Sequence, residues 1–138
     1  MKRFVEQCWV LHGMRLVQDT WIWRETHISD GSPGHVDFDW EKAWDDKMLV
    51  GWRHTHPGID FTYPSTIDDN TMESWVKAAG RPMLCGITCG PLTMYHLYSL
   101  QDGQLSRDVL KWKSLGLAGA KIGWKGKSKA PAVQESIE

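Results

Sequence analysis

The chain is poor in cysteine: three in 138 residues, none in a CxxC pair. Cys8, Cys85 and Cys89 sit in the apolar contexts "EQCWV" and "MLCGITCG". That pattern is the signature of buried reduced thiols, not of a disulfide framework, and it fits a reducing cytoplasm. Charge of one sign is also missing, with 16 Lys plus Arg against 17 Asp plus Glu and a net charge of -1. The balance advertises neither nucleic acid nor a membrane surface as a partner. Only residues 111 to 129 are locally basic, through Lys111, Lys113, Lys121, Lys125, Lys127 and Lys129. No apolar run approaches membrane-spanning length. The opening "MKRFVEQCWVLHG" lacks the long apolar core and cleavage site of a signal peptide, so none is expected. No internal repeat appears.

Tryptophan, by contrast, is abundant, with nine residues at 9, 21, 23, 40, 44, 52, 75, 112 and 124. Most are expected in the core or half-buried on strands. "RFVEQCWVLHG" reads as a strand ending at Gly13, "MRLVQDTWIWRETHIS" as a second and "HVDFDW" as a short third. "KMLVGWRHTH" is a further strand. "STIDDNTMESWVKAAGR" reads as a helix with Ser65 as N-cap, Asp68 completing a variant capping box, and Gly80 as the stop. Ile67, Met72, Trp75 and Val76 are its expected buried stripe. "PMLCGITCG" and "LTMYHLYSL" follow as strands, whereas "LSRDVLKWKSLG" fits either a strand or a short helix. Five to seven strands with one helix imply an α/β or α+β layered single domain over residues 1–124, followed by a polar, disordered tail at 125–138.

The densest chemistry lies in "GWRHTHPGIDFTYPSTIDDNT", residues 51 to 71. On a strand, side chains alternate faces, so His54 and His56 point to the same side and can share one ion. Asp68, on the first turn of the next helix, can be returned to the strand end as a third ligand. Two imidazoles and a carboxylate form a good zinc set, and three protein ligands leave a fourth position for water.

"HTHPGIDFTYPSTID" resembles the JAMM/MPN (JAB) metallopeptidase signature: His-Ser/Thr-His-Pro, a short loop, then Ser and an Asp three residues on. The preceding "LVGWRHTHP" is similar to the family's histidine strand. The resemblance implies an α/β MPN/JAB-like (cytidine-deaminase-like) domain, a mixed curved sheet with a flanking helix. It implies one Zn²⁺ on His54, His56 and Asp68, a glutamate general base on an upstream strand, and Ser65 assisting the oxyanion. Glu6, in the apolar strand "EQCWVLHG", fits the base; Glu25 in "WRETHIS" and Glu41 compete for the role. Two departures stand out: no counterpart of the family's helix precedes Glu6, and the loop from His56 to Ser65 holds eight residues, one more than the common form.

The activity implied is zinc-dependent hydrolysis of the amide bond after the C-terminal tail of a ubiquitin-like protein, in deconjugation or precursor processing. The minimal domain is similar to prokaryotic stand-alone deubiquitinase-like forms. Relatives of that kind work with ubiquitin-activating and conjugating enzymes, some in antiviral defence, or process sulfur carriers. Trp40 and Trp44 lie where the family grips its substrate, core packing being their competing role. The alternative is a non-catalytic MPN scaffold that assembles protein partners.

Overall fold

The computed structural model describes residues 6–15, 20–30, 48–58, 62–116 and 119–126. Seven strands and one helix follow in order: β1 (Gln7–Arg15), β2 (Thr20–Asp30), β3 (Leu49–Thr55), α1 (Thr66–Ala79), β4 (Met83–Cys89), β5 (Leu92–Gln101), β6 (Gln104–Ser114) and β7 (Lys121–Trp124). The strands close into a barrel in the order β1-β2-β7-β6-β5-β4-β3. β3 and β4 run parallel, and the neighbouring pairs described are otherwise antiparallel. Parallel neighbours need a crossover, and α1 supplies it.

This corrects the expected fold class. The sheet is not an open, curved α/β sheet of the MPN/JAB (cytidine-deaminase-like) type but a closed, mostly β barrel of seven strands with one helix. Closure comes from the four-residue β7 bridging β2 and β6, with Ile122 opposite both Ile22 and Lys113. The ambiguous "LSRDVLKWKSLG" is strand β6, turned back on β5 at Asp102 and Gly103, both with positive φ. "HVDFDW", Trp40, Trp44, Glu41 and the tail from 127 lie outside the described residues. No helix among the described residues is long and apolar enough to cross a membrane.

Strand alternation builds two large cores back to back, beside a smaller cluster of Leu115, Ala120, Ile122 and Trp124 around β7. Leu11, Trp21, Trp23, Val50, Leu84, Tyr95, Leu97 and Leu110 come from six strands and meet inside the barrel. Cys8, Val10, Leu49, Trp52, Met83, Cys85, Ile87 and Tyr98 point outward and are covered by Met72 and Val76 of α1. A bulge keeps β3 in this phase: Leu11 faces Gly51 but His12 faces Leu49, leaving Val50 as the extra residue. Gly51 has φ 154°, and a Cβ there would stand 1.9 Å from the Leu84 carbonyl oxygen.

The helix begins and ends as its sequence implies. Ser65 is the N-cap of a reciprocal capping box with Asp68, and Gly80 stops the helix at φ 67° with its N–H donating to Val76 O. Its buried stripe differs. Met72 and Val76 are buried and Trp75 half-buried, but Ile67 is 76% exposed and Asp68 is buried in its place. The helix therefore turns a carboxylate, not an isoleucine, toward β3.

Candidate metal centre

His54 pairs with Cys8 of β1 on one side and Ile87 of β4 on the other. The N–H of His56 donates to Thr88 O at 2.9 Å, one pairing beyond the end of β3, before Pro57 ends the ladder. Extended geometry thus continues through His56 and both imidazoles emerge on the face covered by α1. Asp68 arrives there because the capping box orients it: its Oδ2 accepts from the Ser65 N–H at 2.9 Å while its own N–H donates to Ser65 Oγ at 3.1 Å. The next residue, Asp69, accepts from the Tyr98 hydroxyl and from Arg107 Nη1, tying the first helical turn to β5 and β6.

The three expected ligands converge. His54 Nε2 and His56 Nε2 are 3.1 Å apart. His54 Nε2 is 3.1 Å from Asp68 Oδ1, and His56 Nε2 is 3.1 Å from Asp68 Oδ2. A tetrahedral zinc with bonds of about 2.0–2.1 Å spaces its ligands at roughly 3.3–3.4 Å, so the donor set fits the ion with little adjustment. Each imidazole Nε2 faces both a second imidazole and a carboxylate oxygen. A nitrogen carrying one hydrogen cannot donate to both, whereas one cation between them satisfies all three. His54 and Asp68 are buried and His56 is half-buried. No other His, Cys, Asp or Glu of the described residues joins it. Burial alone would push the Asp68 carboxyl up, but the bonds and charge of His54, the Ser65 N–H and the charge of His56 outweigh it and hold it at about 2. Asp68 is therefore a carboxylate, ready to bind a cation, throughout the physiological range.

Glu6 immediately precedes β1. The β1–β3 register sets Cys8 against His54, and the Gln7 N–H donates to Thr55 Oγ1 at 2.8 Å. Extended two residues beyond Cys8, that register would set Glu6 across from His56, on the face that carries both imidazoles. Its charge is felt by the next residue on that face: burial first, then Glu6, pushes the Cys8 thiol up to about 12. Cys8 is thus no nucleophile, and Cys85 is raised well above its ordinary value chiefly by burial.

Glu25, the competing base, is on the wrong side of the wall. Its Oε1 lies 3.0 Å from Arg53 Nε, 3.0 Å from Arg53 Nη2 and 3.4 Å from Lys121 Nζ. The Tyr95 hydroxyl donates to its Oε2. Arg53 falls between Trp52 and His54 on β3 and so points into the barrel, away from the imidazoles. Its guanidinium lies 3.6 Å over the Trp9 ring and donates to Thr88 Oγ1 at 2.6 Å. Burial would raise the Glu25 carboxyl, but Arg53, the Tyr95 hydroxyl and Lys121 hold it below the usual glutamate range. It is a structural carboxylate.

Two features escaped the sequence reading. His96 is fully buried, with Nε2 2.8 Å from Thr62 O, and it fastens Thr62, just ahead of α1, to β5. Trp52 stacks on His54, with centroids 4.3 Å apart and an interplanar angle of 23°. Its position two residues before a ligand on the same strand was the available signal. No known family model matches the chain, and no curated protein matches it. The resemblance drawn above rests on the motif residues alone, and the closed barrel does not carry the fold expected from it.

Proposed function

We propose that this chain is a zinc-dependent amide hydrolase whose substrate is the C-terminal tail of a ubiquitin-like protein, free or in a conjugate. The observation that carries the reading is the convergence of His54 Nε2, His56 Nε2 and the Asp68 carboxylate. Zinc held there would polarise the scissile carbonyl and make water acidic near neutral pH. Glu6, just ahead of β1, would take the proton released by the attacking water and return it to the leaving amine. Ser65 accepts from Asp68 N–H through Oγ and keeps its own hydrogen to donate to the developing oxyanion. The substrate class rests on the signature in "HTHPGIDFTYPSTID", and the partners implied are the modifier and the enzymes that activate and conjugate it. Convergence of the ligands favours this reading over a scaffold that binds no metal.

The test is direct. The purified chain is assayed for zinc and then incubated with linear fusions of ubiquitin-like proteins, with and without chelator. We expect one zinc per chain and chelator-sensitive cleavage after the modifier tail, lost in Glu6→Gln while zinc is retained. Metal-free protein, or cleavage indifferent to chelator, overturns the proposal.

A further inference from the structure

Histidines that hold a metal through one nitrogen ordinarily donate the hydrogen of the other to a carboxylate or carbonyl, which fixes the ring's rotation. His54 departs from this. Its Nε2 is the atom turned to Asp68 and His56. Its Nδ1 is buried and has no hydrogen-bond partner among the described residues. The ring is only 2% exposed and yet is not held by a polar bond on its far side. What lies against it is a flat surface: the Trp52 indole, nearly parallel at 4.3 Å.

Trp52 is itself held on several sides. It is 3% exposed, its Nε1–H donates to Met72 Sδ at 3.0 Å, and its ring meets Trp75 at a tilt with centroids 6.1 Å apart. Met72 and Trp75 both belong to α1, the helix that also supplies Asp68. One helix therefore delivers the carboxylate and, one turn further on, clamps the indole against which a histidine ligand rests.

We infer that Trp52 is the positioning residue of the metal centre, fixing the rotation of the His54 imidazole by stacking where a hydrogen bond donated by Nδ1 would ordinarily do so. The inference rests on the metal reading above, since it concerns which way a ligand nitrogen points. It assigns no chemistry to the indole. It makes metal affinity depend on the flatness of residue 52 and not merely on its volume. It also links metal binding to the packing of α1 through Met72.

The experiment compares zinc affinity, by competition with a chromogenic chelator, in the full-length chain and three variants. Trp52→Phe keeps a flat ring, Trp52→Leu removes it, and Met83→Ala takes comparable bulk from the same core four residues from Ile87, the neighbour of His54. We expect Trp52→Phe to stay within about threefold of the parent and Trp52→Leu to weaken by about ten- to a hundredfold, the usual effect of losing a ligand's support. Met83→Ala should keep the parent affinity. Trp52→Leu at parent affinity, or an equal loss in Met83→Ala, overturns the inference. Should Trp52→Leu fail to fold, the parent and Trp52→Phe decide it by tryptophan emission. Zinc should change the parent's signal and leave that of Trp52→Phe unmoved; equal changes in both overturn the stacking role. A parent chain that takes up no zinc at all sinks the metal reading instead, and is distinguished by the same titration.

Discussion

Exchanging Glu25 and Glu6, one at a time, for glutamine separates the two carboxylates that the sequence alone leaves in competition. The Glu25 side chain is 6% exposed, and its charge is matched by Arg53, 14% exposed, and Lys121, 21% exposed. Glutamine keeps the shape and a carbonyl for the Tyr95 hydroxyl but leaves two cations in the barrel wall without their anion. Removing one partner of such a buried pair costs about 3–5 kcal/mol. The neutral isostere should fall at the lower end, at about 3 kcal/mol, because it still accepts hydrogen bonds. For a chain of this size that is a fall in Tm of roughly 10 °C. The pH dependence follows from the depressed carboxyl. A group whose folded value lies below its unfolded one contributes stability above the unfolded value, about 4.3 for glutamate, and loses it as pH falls through the folded value. The gap between parent and Glu25→Gln should therefore be full at pH 7 and narrow steadily below about pH 4. Urea titration followed by tryptophan emission, with chelator present throughout, gives both numbers. The zinc-loaded variant should still cleave a fusion substrate at a temperature where it is folded. Glu6→Gln should do the reverse and unfold with the parent while cleaving nothing. The assignment fails if Glu25→Gln is as stable as the parent, if the gap is the same at every pH, or if its loss of cleavage survives refolding at low temperature.

Two further expectations follow from the same geometry. Ser65→Ala removes the N-cap acceptor of α1 and should cost about 1 kcal/mol in urea. If the hydroxyl also serves the oxyanion, kcat should fall by about a hundredfold with zinc still bound, which a metal assay alongside steady-state kinetics would establish. Cys8 and Cys85, fully buried and raised in the direction of the neutral thiol, should resist alkylation at pH 8 in the native chain and react at once in denaturant. Modification of either in the folded protein would contradict the packing under α1.

What could be read in advance was local, and what could not was relational. Period-two spacing in "HTH" and the cap at Ser65 depend on a few neighbouring residues, and the helix start and the convergence of His54, His56 and Asp68 emerge as expected. Barrel closure depends on β2 meeting β7, roughly a hundred residues along the chain, and no local pattern encodes that meeting. β3 and β4 are largely buried along their length, so "LVGWRHT" and "MLCGITC" read as strands without showing what sheet they join. The exposed Ile67 follows from the same limit. Once the cap commits Asp68 to face His54 and His56, its neighbour must turn outward whatever its hydropathy.

The choice between Glu6 and Glu25 shows why register carries so much of the site. Both lie in apolar sequence, and composition does not distinguish them. What does is placement: Glu25 shares a face with Trp23 and meets Arg53, while Glu6 stands two residues ahead of Cys8, whose partner is His54. A slip of one residue in β3 would exchange these faces, burying Arg53 under α1 and sending both imidazoles into the barrel. Turn geometry cannot prevent it, because β1 and β3 are far apart in sequence. Two devices do. The bulge at Val50 and Gly51 is fixed by the absence of room for a Cβ against Leu84. On the inner face, Arg53 finds Glu25, Thr88 and Trp9 together at only one setting of the strand. The buried charge pair takes no part in the chemistry proposed, yet it holds the strand in the phase that presents His54 and His56 to Asp68. The candidate metal centre is in this sense specified from the opposite side of the wall.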